Sequence, residues 1–138
     1  MTSLTRRYMF SSSHRLHSDR LSPEENARVF GKCNNPFGHG HNYCLEVTVA
    51  GEVSPRTGMV LPPLALDAYV NRKVLSRLDH SNLNGDVAEF AGLVPTTENL
   101  GLEIGRWLEK DWAEVGAGRL ARIRLQETGA NSIEIAFS

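Results

Sequence analysis

Long apolar runs, surplus charge and cysteine are all scarce in this chain. No stretch of its 138 residues approaches the ~18–20 consecutive apolar side chains that a bilayer span needs. Lysine and arginine number 15 against 16 aspartates and glutamates, a net charge of −1. That balance excludes the concentrated basic surface of a nucleic-acid binder, although a few local arginines would suffice for a phosphorylated small molecule. The two cysteines, Cys33 and Cys44, are too few for a secreted disulfide scaffold. The opening Met1-Thr-Ser-Leu-Thr-Arg-Arg has no apolar signal core. The expectation is therefore a cytoplasmic protein with free thiols, no membrane and no nucleic-acid partner. Repeats, linkers and low-complexity segments are missing too, which leaves a single domain over residues 1–138. At 41% apolar composition it has enough material for a core.

What is present is a clear order of elements. Tyr8 and Phe10 share a parity in a first strand expected from Thr5 to about Leu16. Ser22-Pro23-Glu24-Glu25 is a helix-start signature, with serine at the cap, proline first and glutamate three after the serine; Gly31 ends that short helix. From His41 to Val53 a second strand puts His41, Tyr43, Leu45, Val47 and Val49 on one face. Leu66, Val70, Val74 and Leu78 recur every four residues, predicting a helix over Pro63–Leu78. Thr96 or Thr97 can cap a second long helix whose stripe is Leu100, Ile104, Trp107 and Leu108, with the tryptophans as core residues. Leu120–Glu127 and Ser132–Phe137 alternate as strands around Thr128-Gly-Ala-Asn131. The natural two-layer solution is α+β: a four-stranded, mostly antiparallel sheet with two long helices inserted between strands 2 and 3. The other sheet face is expected to be apolar enough to favour a closed oligomer.

The chemistry concentrates in Gly31-Lys-Cys-Asn-Asn-Pro-Phe-Gly-His39-Gly-His41-Asn-Tyr43. A His-x-His pair entering a strand puts both imidazoles on one face with Cα atoms ~6.6 Å apart, so both rings can converge on one ion. His14, ending the first strand, can supply a third nitrogen. Three neutral imidazoles suit zinc and leave a fourth position open, as catalytic sites do. A closed structural site of His14, Cys33, His39 and His41 is the competing reading. Asp79-His80 follows the first long helix. Its plain reading is a solvated helix end; its functional one needs a thiol such as Cys33 for His80 to tune. Cys44 reads as a buried or half-buried thiol without chemistry, His17 as a surface histidine and Glu127 as a carboxylate beside a turn.

Taken together, Phe10-Ser-Ser-Ser-His14-Arg-Leu16, Leu21-Ser-Pro-Glu-Glu-Asn26, Phe30-Gly-Lys-Cys-Asn-Asn-Pro36, Gly38-His-Gly-His-Asn-Tyr43, Gly58-Met-Val60, Leu78-Asp-His80, Thr96-Thr-Glu-Asn99 and Glu127-Thr128 resemble the 6-pyruvoyl-tetrahydropterin synthase family. The matches cover nearly the whole chain in family order. The resemblance implies the tunnelling fold, an oligomeric barrel assembled as a homohexamer of two trimers with active sites between subunits. It also implies zinc on His14, His39 and His41, with Cys33 as proton-transfer base. Asp79 and His80 would complete a catalytic relay, reaching in from a neighbouring subunit. Glu127 would grip the pterin's guanidine-like edge, with Thr96, Thr97 and Glu98 lining the pocket.

The implied reaction is a lyase step that takes 7,8-dihydroneopterin triphosphate to 6-pyruvoyl-tetrahydropterin with loss of triphosphate. Competing readings are a 6-carboxy-tetrahydropterin synthase of queuosine biosynthesis, a sepiapterin-cleaving variant and a non-catalytic zinc- or pterin-binding module. The Cys-Asn-Asn-Pro form, with five residues between Cys33 and His39, resembles the pyruvoyl-forming branch. Two departures from the family pattern are Phe37, where a small polar residue is expected, and Leu61-Pro62-Pro63, which replaces a polar run.

Overall fold

The computed structural model describes residues 1–138. Its frame is one long antiparallel pair, β1 (Thr2–His14) and β2 (His39–Gly51), in register from Thr2 opposite Gly51 to His14 opposite His39. Between them run α1 (Pro23–Phe30) and a 3-10 turn at Gly31–Asn34. The predicted capping box forms in full: Glu25 N–H donates to Ser22 Oγ at 3.1 Å, and Ser22 N–H to Glu25 Oε1 at 3.0 Å. β4 (Arg119–Glu127) pairs with β2, placing Glu127 opposite Tyr43, and β5 (Asn131–Ala136) folds back on β4.

The sheet corrects the expectation of four antiparallel strands. It is five-stranded and mixed, in the order β3-β1-β2-β4-β5, because β3 (Ser81–Asn82) lies parallel to β1 at Ser12 and Ser13. Asp79 and His80 put it there: Ser11 N–H donates to Asp79 Oδ1 at 2.9 Å, and His80 N–H to the Ser11 carbonyl at 2.6 Å. Two residues are too few for a strand alternation to show in sequence.

The first long helix is also composite. α2 (Pro63–Val70) passes through a π-helical turn at Asn71–Leu75 into α3 (Ser76–Leu78). Apolar residues every four positions would drift by about 40° per step around a helix of 3.6 residues per turn. The wider turn takes up the drift, and Leu66, Val70, Val74 and Leu78 all end fully buried. A four-residue turn, α4 (Leu83–Asp86), precedes α5 (Thr97–Lys110). Leu100, Ile104 and Leu108 of α5 are buried, and a side chain at Gly101 would collide with Ile133 Cδ1 at 2.2 Å. α5 thus lies tight against β5.

The tryptophans are not core residues. Trp107 and Trp112 are half-buried at its rim, where the Arg77 guanidinium sits 4.0 Å from the Trp107 ring centre and Trp112 Nε1 donates to the Gly118 carbonyl at 3.1 Å. Rings with a polar handle suit that border. The other sheet face is not apolar either. Arg7, Glu46, Arg124, Glu134 and Arg122 cross it as an ion-paired ladder, with Met9 as its large exposed apolar side chain.

Candidate metal centre and active site

Strand register builds the centre. His14 faces His39 and Ser12 faces His41, so alternation sends all three imidazoles to the core face. The 3-10 turn delivers Cys33, whose carbonyl accepts from Leu16 N–H at 2.7 Å. Gly38 lets the connecting loop press onto β1: its φ is +70°, and a Cβ there would lie 2.7 Å from the His14 carbonyl oxygen.

The donor atoms of His14, Cys33, His39 and His41 all lie within 4.8 Å of one another. His39 Nε2 is 3.1 Å from Cys33 Sγ and 3.1 Å from His41 Nε2. His14 supplies the test of fit. Its Nδ1 is 2.9 Å from the Pro95 carbonyl, which can only accept, so the proton sits on Nδ1 and the lone pair on Nε2. That Nε2 is buried and has no partner in the chain. Buried polar atoms are rarely left so, and a carbonyl behind one ring nitrogen is how metal-ligating histidines are held. The residues fit a metal ion.

Electrostatics agree. Burial holds the His14 imidazole below its usual range, and burial does the same to His41 against the opposing pull of Glu127. Both imidazoles are therefore neutral at pH 7, the form in which a ring nitrogen can offer a lone pair. Burial, then Glu127, pushes the Cys33 thiol up, so cationic charge must arrive before it ionises readily. Tyr43, stacked on Phe10 at 5.0 Å, is raised chiefly by burial.

Glu127 flanks the centre, its Oε1 3.6 Å from His41 Nε2. Thr97 Oγ1 donates to Glu127 Oε2 at 2.6 Å. Thr96 accepts from Asn99 N–H at 3.1 Å as the cap of α5, and Glu98 is exposed. Of that trio only Thr97 touches Glu127. Asp79 and His80 stand apart from Cys33 within one chain. His80 lines a polar groove of about 770 Å³ with Ser11, Ser13 and Asn42 of the opposite sheet face, and with Ser12, His41 and Thr128. His80 holds a φ of +60°, uncommon for a residue with a side chain, and its Nδ1 lies 3.2 Å from Asp79 Oδ2.

His17 is half-buried rather than a plain surface residue, 3.1 Å from Asn34 Nδ2 and 3.3 Å from Asp19 Oδ1. Cys44 is half-buried opposite Met9 and Gln126. Sequence reasoning missed the Pro95 carbonyl behind His14; its only trace is a proline just before the Thr96-Thr97 cap.

Comparison with known proteins decides the family. The family model described as 6-pyruvoyl tetrahydropterin synthase matches residues 3–136. The chain belongs to the 6-pyruvoyl tetrahydropterin synthase family. Among curated members it is similar to the 6-pyruvoyl tetrahydrobiopterin synthase of Homo sapiens, at 47% identity over 130 residues, covering 94% of this chain and 88% of that one. The Drosophila melanogaster protein of the same name is 54% identical over 101 residues, 73% of this chain and 60% of its own. The solved 6-pyruvoyl tetrahydropterin synthase of Caenorhabditis elegans superposes with a TM-score of 0.89 at 38% identity, covering 99% and 96% of the two chains. The α+β architecture of this family is therefore the architecture here.

Proposed function

We propose that the chain is a zinc-dependent lyase that converts 7,8-dihydroneopterin triphosphate to 6-pyruvoyl-tetrahydropterin and triphosphate. One observation carries the reading: four donor atoms within 4.8 Å, one of them the orphaned His14 Nε2, with the Glu127 carboxylate alongside. Its relatives named 6-pyruvoyl tetrahydrobiopterin synthase support it at 47% and 54% identity.

His14, His39 and His41 would hold the metal. When bound, zinc supplies a Lewis acid that makes the C–H bonds beside the side-chain hydroxyls more acidic. Glu127, oriented by Thr97, offers two acceptor oxygens to two ring N–H donors, a charge-assisted bidentate match. Cys33 takes a side-chain proton; tautomerisation moves the electron pair into the ring, and the hydroxyl carbon becomes a carbonyl. A second proton loss breaks the C–O bond to triphosphate, which leaves with the electron pair, and the remaining enol becomes the methyl ketone. The ring gains the reducing equivalents that the side chain loses, so no external oxidant enters.

The reading extends to one domain over residues 1–138 working in the cytoplasm as a hexamer of two trimers. Asp79 and His80, remote from Cys33 in their own chain, would serve the Cys33 of a neighbouring copy and lower its thiol toward neutrality. Mass spectrometry of products from 7,8-dihydroneopterin triphosphate tests the proposal. Equimolar 6-pyruvoyl-tetrahydropterin and triphosphate is the expected result. A 6-carboxy product, cleavage of sepiapterin alone, or pterin binding without turnover by zinc-loaded protein would each replace it with the corresponding rival.

A further inference from the structure

The turn that carries Cys33 is not anchored by burial. None of its residues, Gly31–Asn34, is buried, so hydrogen bonds to the segment leaving β1 must hold it. Leu16 N–H donates to the Cys33 carbonyl at 2.7 Å, and Arg15 Nε to the Asn34 carbonyl at 3.2 Å. The Asn34 side chain bonds in the other direction. Its Nδ2 lies 2.8 Å from the Leu16 carbonyl and 3.1 Å from His17 Nδ1. A carbonyl only accepts, which fixes the orientation of the amide and leaves its second N–H for the imidazole. His17 Nδ1 therefore offers a lone pair, and the ring proton sits on Nε2, 3.3 Å from Asp19 Oδ1.

Two further asparagines grip the same segment. Asn84 clamps Arg15 at N–H and C=O, at 2.7 and 2.9 Å, and Asn26 clamps Ser18 at N–H and C=O, at 2.8 and 2.9 Å. Neither side chain bonds to the turn. Asn34 has a different task, because its own main chain is the next link after Cys33. It ties the turn to a segment already fixed on both sides, and Cys33 Sγ comes to rest 3.1 Å from His39 Nε2.

We infer that Asn34 is a positioning residue for Cys33, with neutral His17 as the acceptor that keeps its amide in place. The inference rests on the role proposed for Cys33 above. A reacting group misplaced by ~1 Å can lose ~10²-fold in rate, while a neutral hydrogen bond adds little to overall stability. Asn34 and Asn84 each direct two side-chain hydrogen bonds at the segment, so losing either costs stability alike. Only the loss of Asn34 frees the thiol.

Asn34→Ala, His17→Leu, His17→Asn and Asn84→Ala, loaded with equal zinc, test this in two assays. One is steady-state turnover of 7,8-dihydroneopterin triphosphate. The other is the rate at which iodoacetamide alkylates Cys33, read by peptide mass spectrometry so that Cys44 is counted apart. Asn34→Ala is expected to lower kcat about tenfold or more with KM unchanged, and to speed alkylation of Cys33 several-fold. His17→Leu should move both readouts the same way by less, and His17→Asn, whose Oδ1 takes the place of Nδ1, should restore them. The exposed Asn84→Ala is the control and should match wild type in both. Wild-type alkylation in Asn34→Ala and His17→Leu, or an equal change in Asn84→Ala, overturns the inference whatever turnover does; should Asn34→Ala not fold, His17→Leu decides. Faster alkylation without Asn34, in a protein that makes no 6-pyruvoyl product, keeps the positioning role and removes the proposed reaction.

Discussion

Two polar clusters occupy the core face of β1, one near each end, and they are completed differently. Near the start, Arg6 Nε and Nη2 each donate to an Asp67 carboxylate oxygen at 2.8 Å, and the Tyr8 hydroxyl donates to Oδ1 at 2.7 Å. Donors and acceptor are matched, and nothing further is needed. Near the end, His14, Cys33, His39 and His41 crowd their donor atoms together with lone pairs unspent, and His14 Nε2 has no partner at all. Leaving one buried polar atom unsatisfied costs ~1–3 kcal/mol. A folded chain carries such a cost where a ligand removes it. The first cluster reads as structure, the second as function.

The strongest way to break this contrast is at the second cluster. His39→Ala is expected to abolish bound zinc and turnover together, since His39 Nε2 touches both His41 and Cys33. Elemental analysis of the purified variant checks it, and a full complement of metal would overturn the three-histidine assignment. Cys33→Ala comes next. If the thiol is the base and not a ligand, zinc and pterin binding persist while kcat falls ~10²–10⁴-fold, the usual cost of losing a general base. Loss of zinc instead would make the site a closed four-ligand one, an outcome the 3.1 Å Cys33–His39 contact makes worth testing.

These side chains differ in how far each could be read beforehand. The His-x-His pair was legible because strand alternation is local, and the helix stripes at Leu66–Leu78 and Leu100–Leu108 were legible for the same reason. The Pro95 carbonyl behind His14 was not, since 81 positions separate the two residues and a backbone acceptor leaves no residue-type signal. β3 was hidden by its length, and the π-helical turn by a four-residue spacing that reads as ordinary helix. The motif containing Asp79 and His80 was visible, but its place on the opposite sheet face depends on two hydrogen bonds with the Ser11 backbone, its N–H to the Asp79 carboxylate and its carbonyl from His80 N–H, which no pattern in either segment announces.

The first cluster makes the complementary prediction, smaller and with a pH signature. Asp67 is held below the usual carboxylate range by its bond from Arg6, aided by Tyr8 and opposed by partial burial. A carboxylate depressed in the folded state contributes stability above its unfolded value of about 4, and loses it as pH falls through the folded value. Asp67→Asn should lower Tm by about 2–5 °C at pH 7, with the gap to wild type closing in acid below pH ~4. Zinc content and kcat should be unchanged. A variant that lost turnover at full metal content would erase the division between the two clusters.

The finest comparison is between neighbours. Thr96 and Thr97 share a side chain and adjoin in sequence, yet their hydroxyls are committed differently. Thr96 accepts from Asn99 N–H as the cap of α5, while Thr97, buried, donates to Glu127. Removing a threonine cap typically costs ~1 kcal/mol, so Thr96→Ala should lose about that much in urea unfolding with KM unchanged. Thr97→Val keeps the shape and drops the hydroxyl, leaving Glu127 without its orienting donor. Its stability should move less, and KM should rise several-fold, because a carboxylate free to turn meets the ring's two donors in pairs less often. The Glu127–His41 approach at 3.6 Å gives the carboxylate a place to turn toward. If both substitutions altered only stability, Glu127 would be a structural carboxylate, and the pterin edge would have to be held by another group.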